Sequence, residues 1–260
     1  MDWVSGPMNS YVVANCHAVR DDYLHWVPFN LDRFLVIYNG IDNDDYCPIT
    51  PEEKDERRRQ FGISPQAKVI GIVGRLSPEK DHLTFLNAVH SLQGSVPNLK
   101  ALIVGDGAMR KTLELSARRL GLANVVHFLG ERRDARGIIQ IMDVIVMTSF
   151  SEGLPNVLLE ACALAVPVVT TAAGGASEVV LDGITGFVVP CRDAEALAAR
   201  VQNLLAADEL RVRFCAAAQE RIRVVFSAEE MARRIMRLYE QEPVIADISE
   251  PFLARQGQSR

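Results

Sequence analysis

DVIVMTSFSEGLPNVLLEACALAVPVVTT, residues 143–171, decides the fold. It begins with an unbroken apolar run, DVIVM, and ends with a second, VPVVTT at 166–171. Runs without polar alternation are expected of strands buried on both faces of a parallel sheet. Between them the polar turn SFSEG leads into Pro155 and the helix-forming stretch NVLLEACALA. Pro155 fits the first helical position, where its missing N–H is not needed. The segment therefore reads as strand, turn, helix, strand. It sets the first N–H groups of a helix beside Gly153 at the carboxyl edge of a sheet, which favours an anion such as phosphate.

The same alternation extends on both sides. Apolar runs at 68–74, 99–107, 124–130, 143–149, 166–171 and 186–190 alternate with helix-length stretches near 80–93, 108–121, 134–142, 155–165 and 175–182. This predicts an α/β fold over residues 68–225, a doubly wound Rossmann-like parallel sheet. Residues 193–241 carry no strand signal and predict extra C-terminal helices. In the last, Ser227 and Glu230 have capping-box spacing, and Met231, Ile235, Leu238 and Tyr239 share a face. We read 226–243 as a separate C-terminal helix and 244–260 as a mobile tail. Residues 1–67 hold YVVAN, an amphipathic stretch to Trp26, FLVIYNG and the charge run EEKDERRRQ at 52–60. That is too little for a complete domain, so this part is expected to be the end of something larger. Arg57, Arg58 and Arg59 form either a basic patch or, more simply, one side of a solvated helix.

Composition narrows the class. The chain has 260 residues, 48% of them hydrophobic and 23% charged, which excludes disordered and low-complexity proteins. At roughly 150 residues per domain it holds one large domain or two small ones. The net charge of −5 argues against a nucleic-acid partner. Five widely spaced cysteines without a CxxC pair suggest neither zinc nor a disulfide framework, but a reducing compartment. With no signal-peptide pattern at the start and no run of ~20 apolar residues, a cytoplasmic protein is expected.

Two carboxylates, Glu152 and Glu160, bracket Gly153-Leu154-Pro155-Asn156. Carboxylates are poor phosphate ligands but good acceptors for hydroxyls on either side of a diphosphate. Separately they read as a loop Glu and a solvated helix Glu; with Gly-Leu-Pro-Asn between them, the site reading prevails. A second segment, GIVGRLSPEKD at 71–81, runs from a strand into a Gly74-Arg75 turn and then into a helix opened by Pro78. Lys80 in that first turn opposes the helix dipole, and a bound diphosphate would compensate it. Arg75 could fork two phosphate oxygens while Lys80 acts as a point charge. GDGAMR at 105–110 lacks the third glycine of a dinucleotide fingerprint. Asp42-Asn43-Asp44 spells DxD, but its setting, NGIDNDDY, is turn chemistry, so no metal site is assigned.

With these residues in view, the chain resembles the donor half of a GT-B glycosyltransferase. The likeness is to the large retaining type, family 4, and rests on GRLSPEKD, VGDG, HFLG, Glu152-Gly-Leu-Pro-Asn-x3-Glu160 (the Glu-x7-Glu signature), PVVTT and the glycines at 174–175. It covers about 68–225 and is weaker at both ends. The resemblance implies a nucleotide-sugar donor (UDP-, GDP- or ADP-linked) and no cofactor or metal. Arg75 and Lys80 would hold the diphosphate and stabilise the leaving group, with Gly74 allowing close approach. Backbone N–H groups of about 153–156 would hold phosphate or sugar hydroxyls. Glu160 would accept from the ribose hydroxyls and Glu152 would contact the donor sugar. The loop after Gly130 would read the base, with Glu131 and Arg132 beside it.

In this family an N-terminal acceptor half precedes the donor half, and only 67 residues precede the first donor strand here. The acceptor, carbohydrate or lipid-linked, would lie in a half carried by a longer chain or a partner chain, which could also cover the C-terminal helix. The alternative is a non-catalytic nucleotide-sugar-binding subunit or degenerate relative. An epimerase of related architecture and a nicotinamide oxidoreductase rank behind both.

Overall fold

The computed structural model describes residues 11–27 and 31–240. The expected tail, 244–260, and the end of the expected last helix lie outside them. In chain order, β1 (Val12–Ala14), α1 (His17–Trp26) and β2 (Phe34–Val36) come first, followed by α2 (Pro51–Gln60). The main unit then runs β3 (Lys68–Val73), α3 (His82–Gln93), β4 (Leu99–Val104), α4 (Arg110–Arg119), β5 (Val126–Gly130), α5 (Ala135–Gln140), β6 (Val144–Met147), α6 (Asn156–Ala163), β7 (Val168–Thr171), α7 (Ala176–Val179) and β8 (Phe187–Val189). It closes with α8 (Ala194–Ala206), α9 (Asp208–Val225) and α10 (Ala228–Tyr239).

β3 to β8 form one parallel sheet in the order β5-β4-β3-β6-β7-β8. Its four inner strands, β4, β3, β6 and β7, are buried on both faces, which is why their sequences are almost continuously apolar. One face packs on Leu158, Leu159, Ile222 and Phe226 of the α6 and α9 side. The other packs on α3, α4 and α8, where Phe85, Leu86, Val89 and Leu92 are fully covered. Each such side chain contributes about 1.5–3 kcal/mol of burial. The doubly wound α/β expectation holds.

Several details differ from the sequence reading. Pro155 is the residue before α6 rather than its first member, extended at ψ 104. Lys80 is not in the first turn of a long helix. Pro78–Lys80 is a separate 3-10 turn, and α3 starts afresh because Asp81 adopts φ +45 and caps it through Thr84. Ser227 caps α10 by accepting from Glu230 N, but the Glu230 carboxylate turns to Arg233 and Arg234, so the box is half made. Of the apolar face expected on α10, Met231, Ile235 and Leu238 are half-buried and Tyr239 is exposed.

The charge run is neither a basic patch nor wholly solvated. Thr50 and Glu53 form a true capping box at the start of α2. Arg58 is buried, its guanidinium donating to the carbonyls of Ile141, Pro65 and Ala67 and pairing with Asp143 at 2.8 Å. Lys54 reaches the other Asp143 oxygen at 2.9 Å. The front segment is tied down elsewhere. β1 and β2 pair in parallel, and the Glu178 carboxylate of α7 accepts from the His17 and Ala18 amides and the Tyr38 hydroxyl at 2.8–2.9 Å. α1 is thus capped from 161 residues away.

Burial would raise the Asp143 carboxyl, but Lys54 and Arg58 outweigh it and hold it below its ordinary 3.8. A depressed carboxyl stabilises the fold above the unfolded value and loses that contribution as pH falls through the folded one. Arg58→Met is expected to cost about 3 kcal/mol at pH 7, since it takes one of two cations from a buried carboxylate and leaves three carbonyls without their donor. Urea unfolding should show that gap shrinking in acid, below the ordinary carboxylate range, as Asp143 protonates; a gap equal in acid and at pH 7 contradicts this account.

Candidate active site

The chain leaves β3 toward β4 and β5, and leaves β6 toward β7 and β8. At this switch point no crossover covers the two carboxyl ends, and such crevices are where α/β sheets bind ligands. A cavity of about 410 Å³ opens there, lined by Gly74, Arg75 and Lys80 on one side and by Glu152, Pro155 and Glu160 on the other. Leu154 and Asn156 complete that wall.

Sequence neighbours separated by some 70 positions meet directly. Lys80 Nζ lies 2.5 Å from Glu152 Oε1, which also accepts from Ser149 Oγ at 2.6 Å. Both side chains are mostly buried, Glu152 at 11% exposure and Lys80 at 25%. Thr148 Oγ1 donates to the Lys80 carbonyl and Phe150 N to the Glu79 carbonyl, so the two loops are stitched by backbone as well. Arg75 is 73% exposed and, among the described residues, pairs only with Glu79, at 3.4 Å, which leaves the guanidinium fork open to an anion. An ammonium has three donors, of which Glu152 takes one.

Backbone close packing explains the glycines. A Cβ on Gly174, at φ +51, would sit 1.9 Å from the Glu152 carbonyl oxygen. One on Gly105, at φ +133, would sit 2.0 Å from the Gly74 carbonyl oxygen. GDG at 105–107 is therefore a buttress for the Arg75 loop, reinforced by Leu76 N donating to Asp106 O at 2.9 Å. It serves packing, not a dinucleotide.

Glu160 lies on α6, half-buried, and burial raises its carboxyl above the ordinary 4.5 against the pull of Arg136 and a Tyr46 contact. Asn156, at the head of α6, accepts from Asn39 Nδ2 at 3.1 Å. His82, unnoticed in the sequence, lines the cavity floor with both ring nitrogens buried and without hydrogen-bond partners. Burial, and then the Lys80 charge, push it down to about 4, so it is neutral at pH 7. The positive charge facing the cavity is then that of Arg75 and Lys80.

Three expected residues stand apart. Gly153 packs against Asn15 and gives its carbonyl to Gly175 N instead of lining the cavity. Glu131 is exposed. Arg132 is spent on a two-bond pair with Asp134 and on the face of Phe61. Asp42 caps its own turn by accepting from Asp44 N. Among the described residues no cluster of His, Cys, Asp or Glu is arranged to hold a metal ion.

The sequence pattern of the group 1 glycosyl transferases matches residues 53–221, most of the chain and all of this cavity. The chain belongs to that family. A D-inositol 3-phosphate glycosyltransferase of Corynebacterium urealyticum is 33% identical over 91% of this chain and 58% of its own. The Vi polysaccharide biosynthesis protein VipC/TviE of Salmonella typhi is 29% identical over 89% and 41%. The chain thus spans about half the length of the curated relatives it matches. Among solved structures, Anabaena Alr3699/HepE in complex with UDP superposes with a TM-score of 0.85 at 27% identity, over 92% of this chain and 65% of that one. Structures of HepE with UDP and glucose and with UDP-glucose superpose equally well or nearly so. The C-terminal domain of a group 1 protein, LpcC of Francisella tularensis, shares the fold over its whole length with a TM-score of 0.65. The group 1 chain described here therefore carries the GT-B Rossmann-like architecture.

Gly174→Ala forces a left-handed alanine against the Glu152 carbonyl. It is expected to cost about 2–4 kcal/mol of stability, from backbone strain plus overpacking. Thermal melting checks this, and an unchanged Tm would contradict the close approach.

Proposed function

We propose that this chain is the donor-binding half of a retaining glycosyltransferase, which holds a nucleotide-diphosphate sugar in the switch-point cavity. One observation carries the reading: Arg75, Lys80, Glu152, Glu160 and the start of α6 converge on a single crevice. In this reading the diphosphate lies between the two cations and the α6 N-terminus. Glu160 accepts from the ribose hydroxyls and Glu152 from the donor sugar. The UDP-bound HepE structures support a nucleotide-sugar ligand by analogy.

The chemistry asks for what the residues offer. Breaking the bond between the anomeric carbon and the phosphate builds negative charge on the diphosphate. Fixed cations and helix amides stabilise that charge without reorganising. We infer that Arg75 and Lys80 do this with no metal or other cofactor. An acceptor hydroxyl then attacks the same face of the anomeric carbon from which the diphosphate departs, and the leaving phosphate oxygen takes its proton. Glu152 orients the sugar and forms no covalent intermediate. The acceptor, carbohydrate or lipid-linked, would be supplied by an N-terminal half, in the cytoplasm. A purely nucleotide-sugar-binding subunit, which would hold the donor without transferring the sugar, is the second reading.

Calorimetric titration with UDP, GDP and ADP tests the site. Glu160→Ala and Arg75→Ala should each weaken binding by about 1–3 kcal/mol, the worth of a hydrogen bond to a charged group. Wild-type affinity in both variants defeats the assignment. Glu152→Ala should reduce transfer, measured with an acceptor half present, more than it reduces binding of the bare nucleotide. Equal loss would put Glu152 on the nucleotide.

A further inference from the structure

Glu160 is not alone in its wall of the cavity. Tyr46, buried under the turn that follows Asn43–Asp45, brings its hydroxyl to 3.5 Å from Glu160 Oε1. Over the Tyr46 ring lies the Arg136 guanidinium of α5, 4.2 Å from the ring centroid, with Asp45 3.9 Å away on its outer side. Three elements distant in sequence thus converge behind one carboxylate. Of the other charged or titratable groups lining the cavity, Lys80 and Glu152 are bound to each other, the exposed Arg75 has Glu79 at 3.4 Å, and His82 is neutral.

The stack has no role in packing that demands its polar ends. A phenylalanine would fill the buried place of Tyr46 equally well, and Arg136 is half-exposed and free to extend into solvent. Of the two, the Tyr46 hydroxyl reaches Glu160 directly, and the Arg136 charge acts on it across the Tyr46 ring. A carboxylate that accepts from two adjacent ribose hydroxyls must be ionised and held in one rotamer. Burial works against the first requirement, and α6 alone does not fix the second.

We propose that Arg136, laid on the Tyr46 ring, and Tyr46 itself are positioning residues that keep Glu160 an oriented carboxylate for the ribose hydroxyls. This rests on the reading of Glu160 as the ribose acceptor. Neither residue touches the nucleotide; both act through Glu160. Burial raises the Glu160 carboxyl, while Arg136 first and Tyr46 second pull it down. Removing either lets it rise further, so ribose recognition is lost at a higher pH as acid is added.

The test is calorimetric titration of the full chain with UDP and with 2′,3′-dideoxy-UDP from pH 8 downward, as far into acid as the chain stays folded. The ratio of the two dissociation constants isolates the hydroxyls, because phosphate ionisation is common to both ligands. In the wild-type chain the ratio should be large at pH 8 and fall toward one in acid. In Arg136→Gln the midpoint of that fall should move to higher pH, as deleting a nearby opposite charge requires. Tyr46→Phe should move it the same way by less, and Arg136→Lys should restore most of the wild-type profile. An unmoved midpoint in both Arg136→Gln and Tyr46→Phe overturns the positioning role and leaves the ribose reading standing. A wild-type ratio of one at every pH, or no binding of UDP, overturns the ribose reading and this inference with it.

Discussion

Parallel strands need crossovers, and crossovers cover the carboxyl ends of the strands they join. β3 and β6 are the one adjacent pair in this sheet whose connections leave in opposite directions. That topological constraint opens the crevice, and the remaining features of the site are consequences of building on its rim. The Gly74–Lys80 loop follows β3 and the Thr148–Pro155 loop follows β6, so both must pass close to each other. Glycine at 105 and 174 lets flanking loops press onto them at distances a Cβ forbids. The Lys80–Glu152 ion pair then closes the gap between the loops.

Burial makes these few charges effective. The chain as a whole is acidic, with a net charge of −5. The cavity is locally different, because Glu152 is engaged by Lys80 and Ser149, and His82 is kept neutral by its surroundings. An anion entering there meets an open guanidinium, two unused ammonium donors and the head of α6 in a partly water-excluded space, where such contacts are stronger than at an exposed surface. At the sheet's other edge, Arg58 and Lys54 around Asp143 use the same physics for stability.

Much of this was legible in the sequence because strand burial and turn chemistry are local. The unbroken apolar runs announced a parallel sheet, and Glu152, Glu160, Arg75 and Lys80 stood out by spacing around turn residues. What the sequence hid is set by contacts between distant segments. Arg58 looked solvated within EEKDERRRQ, and only the carbonyls of Ile141, Pro65 and Ala67 make it a core residue. Glu178 gave no sign of capping a helix 161 positions earlier. Tyr46 sat in a stretch read as a turn, and Arg136 in a short helix with no pattern of its own. His82 was one histidine among five, and its burial depends on how α3 restarts after Asp81. Nor did the sequence show that Arg132, expected beside the base, pairs with Asp134 two residues on.

The central claim is that the crevice between β3 and β6 receives a nucleoside diphosphate. A crystal structure of the chain soaked with UDP tests it most directly. The account predicts the diphosphate within hydrogen-bond reach of Arg75, Lys80 and the first amides of α6, with the ribose against Glu160. UDP bound elsewhere would contradict it, for instance in the groove at the opposite edge of the sheet beside Lys54 and Arg211.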